Sequence, residues 1–258
     1  MDEAAKTYAE ELTAKAHGED LRAFEAACRA GDVLALVRLL RSPEALPTAV
    51  AQNSWIAPAR SVSALAASQL GSLASGDDVS AVEQLVGTDA VARLVAMVGE
   101  GPDRRDSAIL ALSFISAAAV PGLAEQLHTA NMMTRLVQVI VRAAELSVHP
   151  QILAAAAQAC RNLFATHEQY KTAFLQARGL DALSEILALE DDDAKLETIY
   201  HLDELITDPQ TQEVLTQFAD PVKNTPIIQQ LQQATLSHDE EVVESAKSVL
   251  AKLGTAQD

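Results

Sequence analysis

Two acid–base pairs in this chain of 258 residues sit one helical turn apart. Glu145 precedes His149 by four positions, and Glu197 precedes His201 by four. That spacing puts both members on one helix face, where a carboxylate and an imidazole could share a metal ion. Bundle di-metal sites use a three-residue Glu-to-His step instead. His149 is also followed by Pro150, which places it at a helix boundary. Neither pair is expected to hold a metal. Asp191-Asp192-Asp193 offers three adjacent carboxylates, but Ala194 and Lys195 follow where a metal-binding run needs another acid. It reads as a solvated helix start, favoured by the positive end of the helix dipole. Cys160 with His201 would make a thiol–imidazole nucleophile pair, yet Cys160 holds an apolar position and is expected in the core. The chain has no phosphate-cradling glycine loop, no Cys-x-x-Cys and no His-Glu-x-x-His. No catalytic residue, metal or cofactor is assigned, and an enzyme is not expected.

The elements that carry these residues repeat. Leu70-Gly71-Ser72-Leu73, Leu112-Ser113-Phe114-Ile115, Cys160-Arg161-Asn162-Leu163, Leu202-Asp203-Glu204-Leu205 and Leu250-Ala251-Lys252-Leu253 each close an amphipathic pattern. Their last residues are 42, 48, 42 and 48 positions apart. Between them lie a short amphipathic segment, such as 167–178 or 209–219, and a leucine-rich one, such as Arg135-Leu136-Val137. Three helices per repeat are predicted. Gly87 and Gly179, with Asn131 between them, mark turns of positive φ. Asp208-Pro209 reads as N-cap and first helical residue, Ser237 with Glu240 as a capping box, and Gly254 as the final stop.

Composition agrees. The chain holds 48 Ala and 33 Leu, with 3% aromatic residues and few Gly or Pro. Strong helix formers dominate, which argues against sheet folds and against disorder. The net charge is −17. No basic stripe exists for nucleic acid, and an anionic membrane surface would repel the chain. The charge is uneven: residues 189–258 carry 15 acids and 4 bases. Nothing in the sequence is long and apolar enough to span a bilayer, and the acidic start differs from a secretion signal. Cys28 and Cys160 read as reduced thiols, so a soluble cytoplasmic protein is expected.

Three helices in about 40–47 residues, closed by Ala156, Ala159, Cys160, Asn162 and Leu163, resemble the armadillo repeat. Gly179-Leu180-Asp181-Ala182-Leu183 then opens the next second helix. HEAT repeats share the hydrophobic spacing and remain the alternative. The resemblance covers residues 61–254. It implies an all-α, right-handed superhelical α-solenoid of about five three-helix repeats, because stacked repeats bury a core that one repeat alone cannot. Residues 1–60 are expected to form an N-terminal helical cap. That cap comprises a charged helix over 3–16, a degenerate first repeat with its second helix at 32–41, and a long Trp55-bearing loop over 42–60. Residues 255–258 are a tail. The string from Ala26 to Asp32 also looks like part of an ankyrin repeat, but no second copy follows.

In armadillo proteins the closing helices line a concave groove, where an Asn ladder clamps an extended peptide. The ladder position here holds Ser72, Phe114, Asn162, Glu204 and Lys252, and Gln158 replaces the tryptophan of nuclear-import receptors. The resemblance therefore implies a non-catalytic adaptor or scaffold rather than a reader of nuclear-localisation signals. Gln158, Arg161, Asn162, His201 and Glu204 are the expected partner-binding residues, with Trp55 as a candidate anchor. The acidic C-terminal third favours a basic partner, extended or helical. Two rivals stand beside this reading. One is a co-chaperone promoting nucleotide exchange. The other is a helical enzyme with a carboxylate–histidine metal centre.

Overall fold

The computed structural model describes residues 18–46, 60–76 and 79–255. The expected helix over 3–16 and Trp55 lie outside the described residues. The chain forms two compact units, Met1–Leu123 and Ala124–Asp258. Helix is the only regular element among the described residues, apart from isolated bridges at Ala45–Ser61 and Thr207–Val214.

The first unit contains α1 (Glu19–Ala30), α2 (Val33–Leu39), α3 (Val62–Ala74), α4 (Ser80–Leu85), α5 (Ala90–Met97) and α6 (Pro102–Ile115). Helices start where the sequence supplies caps. The Asp32 carboxylate accepts the Ala35 N–H at 2.9 Å, and the Ser61 hydroxyl accepts that of Ala64 at 3.3 Å. Pro102 opens α6, where a missing N–H costs nothing. The two ends of the long connection before α3 are tied together. Leu46 N–H donates to the Arg60 carbonyl at 2.8 Å, and Val62 N–H to that of Glu44 at 3.0 Å.

Alanine richness has its explanation where α3 packs on α6. Ala64, Ala66, Ala67, Ala108 and Ala111 are all buried. A Cβ placed on Gly71 would lie 2.8 Å from the Ala111 Cα, so the two backbones nearly touch. Small side chains permit this approach, and the buried Leu70, Ile109 and Leu112 fill the space beside it. Gly71→Ala is therefore expected to destabilise the protein by about 1–3 kcal/mol through overpacking. This would occur although alanine is the better helix former. A urea midpoint measured beside Ser72→Ala, on the exposed neighbour, checks it. A Gly71→Ala protein as stable as the control would refute the close contact.

The second unit begins one residue into α7 (Leu123–Thr129) and contains α8 (Met132–Val141), α9 (Ala143–Leu146), α10 (Pro150–Arg161), α11 (Glu168–Gln176), α12 (Gly179–Leu187), α13 (Asp192–Ile206), α14 (Thr216–Lys223), α15 (Ile227–Ala234) and α16 (Glu240–Lys252). The third helices of three successive repeats, α10, α13 and α16, pack side by side, and α8, α12 and α15 back them. Asp191 caps α13 by accepting the Ala194 N–H at 2.8 Å, with Asp192 and Asp193 in the first turn. The acidic run is a helix start.

Several local expectations change. Gly87, Asn131 and Gly254 do have positive φ. Gly179 does not; Arg178 before it takes the left-handed conformation, at φ +69°. Gly179 is glycine for space, since a Cβ there would enter the Phe174 ring at 2.3 Å. Asp208 starts no helix. Its carboxylate accepts the Gln210 and Thr211 N–H groups in a tight turn, and α14 begins only at Thr216. The cap of α16 is Asp239, which accepts from Glu241 and Val242, while the Ser237 hydroxyl accepts the Asp239 N–H. Asp wins the cap because its carboxylate reaches two free N–H groups at once.

Candidate binding face on the third helices

The side-by-side packing of α10, α13 and α16 brings one polar stripe of each together. From α10 come Gln158 and Arg161, with Asn162 as the C-cap; from α13 come Glu197, Tyr200, Asp203 and Glu204; from α16 come Glu241 and Lys252. The Arg161 guanidinium lies 3.3 Å from a Glu197 oxygen and 3.8 Å from a Glu204 oxygen. It also stands 5.9 Å from the centre of the Tyr200 ring. The Tyr200 hydroxyl donates to Glu241 Oε1 at 2.5 Å. Lys252 Nζ donates to Asp203 Oδ1 at 2.6 Å. Four carboxylates thus face two cations. Partial burial raises the Glu204 carboxyl above its ordinary range, although Arg161 pulls it down. Gln158, Arg161 and Asn162 are half-buried, and Glu204 is exposed.

His201 is not on this face. It is fully buried, and the correction has a physical reason. Ala194, Thr198, His201 and Leu205 follow at steps of four, three and four, so the imidazole points with the core stripe of α13. Its ring packs against Phe164 at 4.8 Å and Phe174 at 4.6 Å between centres. Neither ring nitrogen makes a well-formed hydrogen bond, and the Ala157 backbone is only a weak partner. Burial, reinforced by the Arg161 charge, pushes its pKa down to about 3; the Ala157 backbone pulls weakly the other way. The imidazole is neutral at physiological pH. Cys160 is buried as well, and desolvation drives its thiol far above the usual range. The thiol–imidazole pair therefore has no accessible thiolate to offer. Among the described residues no group of three His, Cys, Asp or Glu side chains could hold a metal ion.

Lys171 escaped the sequence reading. The side chain is 1% exposed, and its Nζ donates to the backbone carbonyls of Glu204 at 2.5 Å and Thr207 at 2.7 Å. These are orphan acceptors of the last turn of α13 and the residue beyond it. Burial lowers the Lys171 pKa, while Glu168, Asp208 and Glu204 oppose that shift. The available signal was the three-residue step from Lys171 to the buried Phe174. Beside Lys171 opens a cleft of about 280 Å³, lined by Phe164, Ala165, Asp203, Glu204, Thr207 and Gln212 among others.

No protein-family profile matches the chain, and no curated protein matches it by sequence. Solved structures do. The armadillo repeats only protein from Plasmodium falciparum superposes with a TM-score of 0.79 at 26% identity, covering 91% of this chain and 97% of that one. The protein has the armadillo-repeat fold. Computationally designed armadillo proteins for modular peptide recognition match at 16% identity and a TM-score of 0.69, over 94% of this chain and 93% of theirs. A designed armadillo protein in complex with the peptide (KR)4 matches at 16% and 0.68, over 89% and 85%. The all-α solenoid class follows. At the armadillo ladder position Ser72 and Glu204 are exposed, Phe114 is 43% exposed, and Asn162 and Lys252 are half-buried. Lys252 is committed to Asp203, so this face carries charge pairs where an amide ladder would stand. Among the described residues no helix is long and apolar enough to cross a membrane.

Proposed function

We propose that the protein is a non-catalytic scaffold that docks an extended, basic segment of a partner protein on the α10–α13–α16 face. The observation that carries this reading is the surplus of carboxylates there: Glu197, Asp203, Glu204 and Glu241 against Arg161 and Lys252. An extended segment with Lys or Arg residues supplies the missing charge, and the steering it receives is long-ranged at low salt. The designed armadillo protein that holds (KR)4 supports the same chemistry on the same fold. The acidic C-terminal third adds to the attraction.

The test compares labelled basic, neutral and acidic octapeptides by fluorescence anisotropy. The basic peptide is expected to bind best, and its affinity to fall several-fold between about 50 and 300 mM salt as charges are screened. Asp203→Asn with Glu241→Gln is expected to weaken it further. Equal affinity for all three peptides, unmoved by salt, would refute the electrostatic reading. His201 is unsuitable for such a test, because it is buried beneath the face and cannot touch a peptide.

A further inference from the structure

We propose that Arg161 is an internal stand-in for the partner's basic side chain, and that binding exchanges it off Glu197 and Glu204. The inference rests on the docking face proposed above and names the residue that sets its affinity.

The contacts of Arg161 are those of a placeholder. A well-made arginine–carboxylate pair is bidentate, with N–O distances of about 2.7–2.9 Å. Here the closest approaches are 3.3 Å to Glu197 and 3.8 Å to Glu204, and they go to two different carboxylates. Glu197 Oε2 is buried and has no hydrogen-bond partner. Arg161 therefore neutralises both acids without satisfying either. Its own side chain is only 15% exposed, lying by the Tyr200 ring, so it is held in place by packing. The Glu204 side chain stays open from outside, at 48% exposed, and that of Glu197 is 33% exposed although its Oε2 is buried against Arg161.

Room for the incoming group exists next to Glu204. The 280 Å³ cleft has the Phe164 ring and Ala165 for an aliphatic stem, and the Thr207 and Gln212 side chains for polar contacts. The other cations nearby are hydrogen-bonded elsewhere, although the Lys171 ammonium also lines the cleft and its charge acts on Glu204 through space. Lys252 is bound to Asp203, and Lys171 to backbone carbonyls. A guanidinium or ammonium entering from the cleft side would pair first with Glu204, and Arg161 leaving both acids along Tyr200 would uncover the buried Glu197 Oε2 for it. Buried and half-buried charges gain most from such completion, because an unsatisfied one is costly.

The consequence runs against the usual expectation for a binding-site arginine. Removing Arg161 should improve binding. With a labelled alternating Lys–Arg octapeptide at low salt, Arg161→Met is expected to bind about tenfold more tightly than wild type. Arg161→Lys should remain near wild type, since it keeps a charge on the acids. Glu197→Gln with Glu204→Gln should bind at least tenfold more weakly. A second readout uses the wild-type protein: the Arg161 Nε–H resonance should shift towards a solvent-exposed value as the peptide is added. Weaker or unchanged binding by Arg161→Met, or an unmoved Arg161 resonance at saturation, overturns the exchange. If neutral or acidic peptides bind the face while Arg161→Met changes nothing, the exchange fails and docking stands without its preference for basic segments. If no peptide binds any variant, both fall.

Discussion

Acidification from pH 7 to pH 3 should cost the protein on the order of 4 kcal/mol at one residue, His201. The folded-state pKa is about 3 and the ordinary value 6.5. The unfolded chain therefore takes up a proton as the pH falls through 6.5, and the folded chain does not until near 3. The contribution is flat above 6.5 and increasingly unfavourable below it, reaching about 2 kcal/mol by pH 5. His201→Leu removes this term. It also removes two buried ring nitrogens that make no well-formed hydrogen bond, so at pH 7 it should be neutral or stabilising despite the lost ring contacts with Phe164 and Phe174. Urea midpoints for both proteins at pH 7.5, 6 and 5 should diverge steadily. Parallel profiles would show that the imidazole gains a proton in the folded state.

Lys171→Met is expected to be the most damaging single change in the second unit, at about 2–4 kcal/mol. Methionine keeps the apolar stem but leaves the Glu204 and Thr207 carbonyls buried without their donor. Those carbonyls end α13 and begin the turn stapled by the Thr207–Val214 bridge. The damage should be local first. Hydrogen exchange at Leu215, whose N–H donates to the Ile206 carbonyl at 2.7 Å, should accelerate before that of the α8 amides. Uniform acceleration across the second unit would instead mean that Lys171 supports the whole core. Glu204→Gln on the exposed side of the same residue should be nearly neutral for stability, which separates the backbone contact from the carboxylate.

Much of the architecture is legible without coordinates. Spacings of 42 to 48 residues between the closing patterns announce the repeat, and alanine and leucine announce helices. Positive φ at Gly87, Asn131 and Gly254 follows from residue type, because glycine and asparagine tolerate that conformation. The acidic start of α13 follows from cap chemistry. These features depend on interactions within a few residues, so the local sequence contains both partners. The binding face is legible only as a list of candidates on the closing helices.

What packs against each helix was decided elsewhere. His201 is expected from the sequence on the partner-binding face, and it is buried because Phe164 and Phe174 close over it. The turn at Arg178 takes positive φ on an arginine, and the glycine beside it leaves the space that Phe174 fills. Lys171 became a buried cap because α13 ends above it, 33 residues further along the chain. Arg161 met Glu197 and Glu204 because α10 packs on α13. The sequence alone determines periodicity, caps and charge balance, all of which act at short range. Burial of a polar group, its pairing and its pKa depend on neighbours brought in by repeat stacking, and only the tertiary structure supplies those.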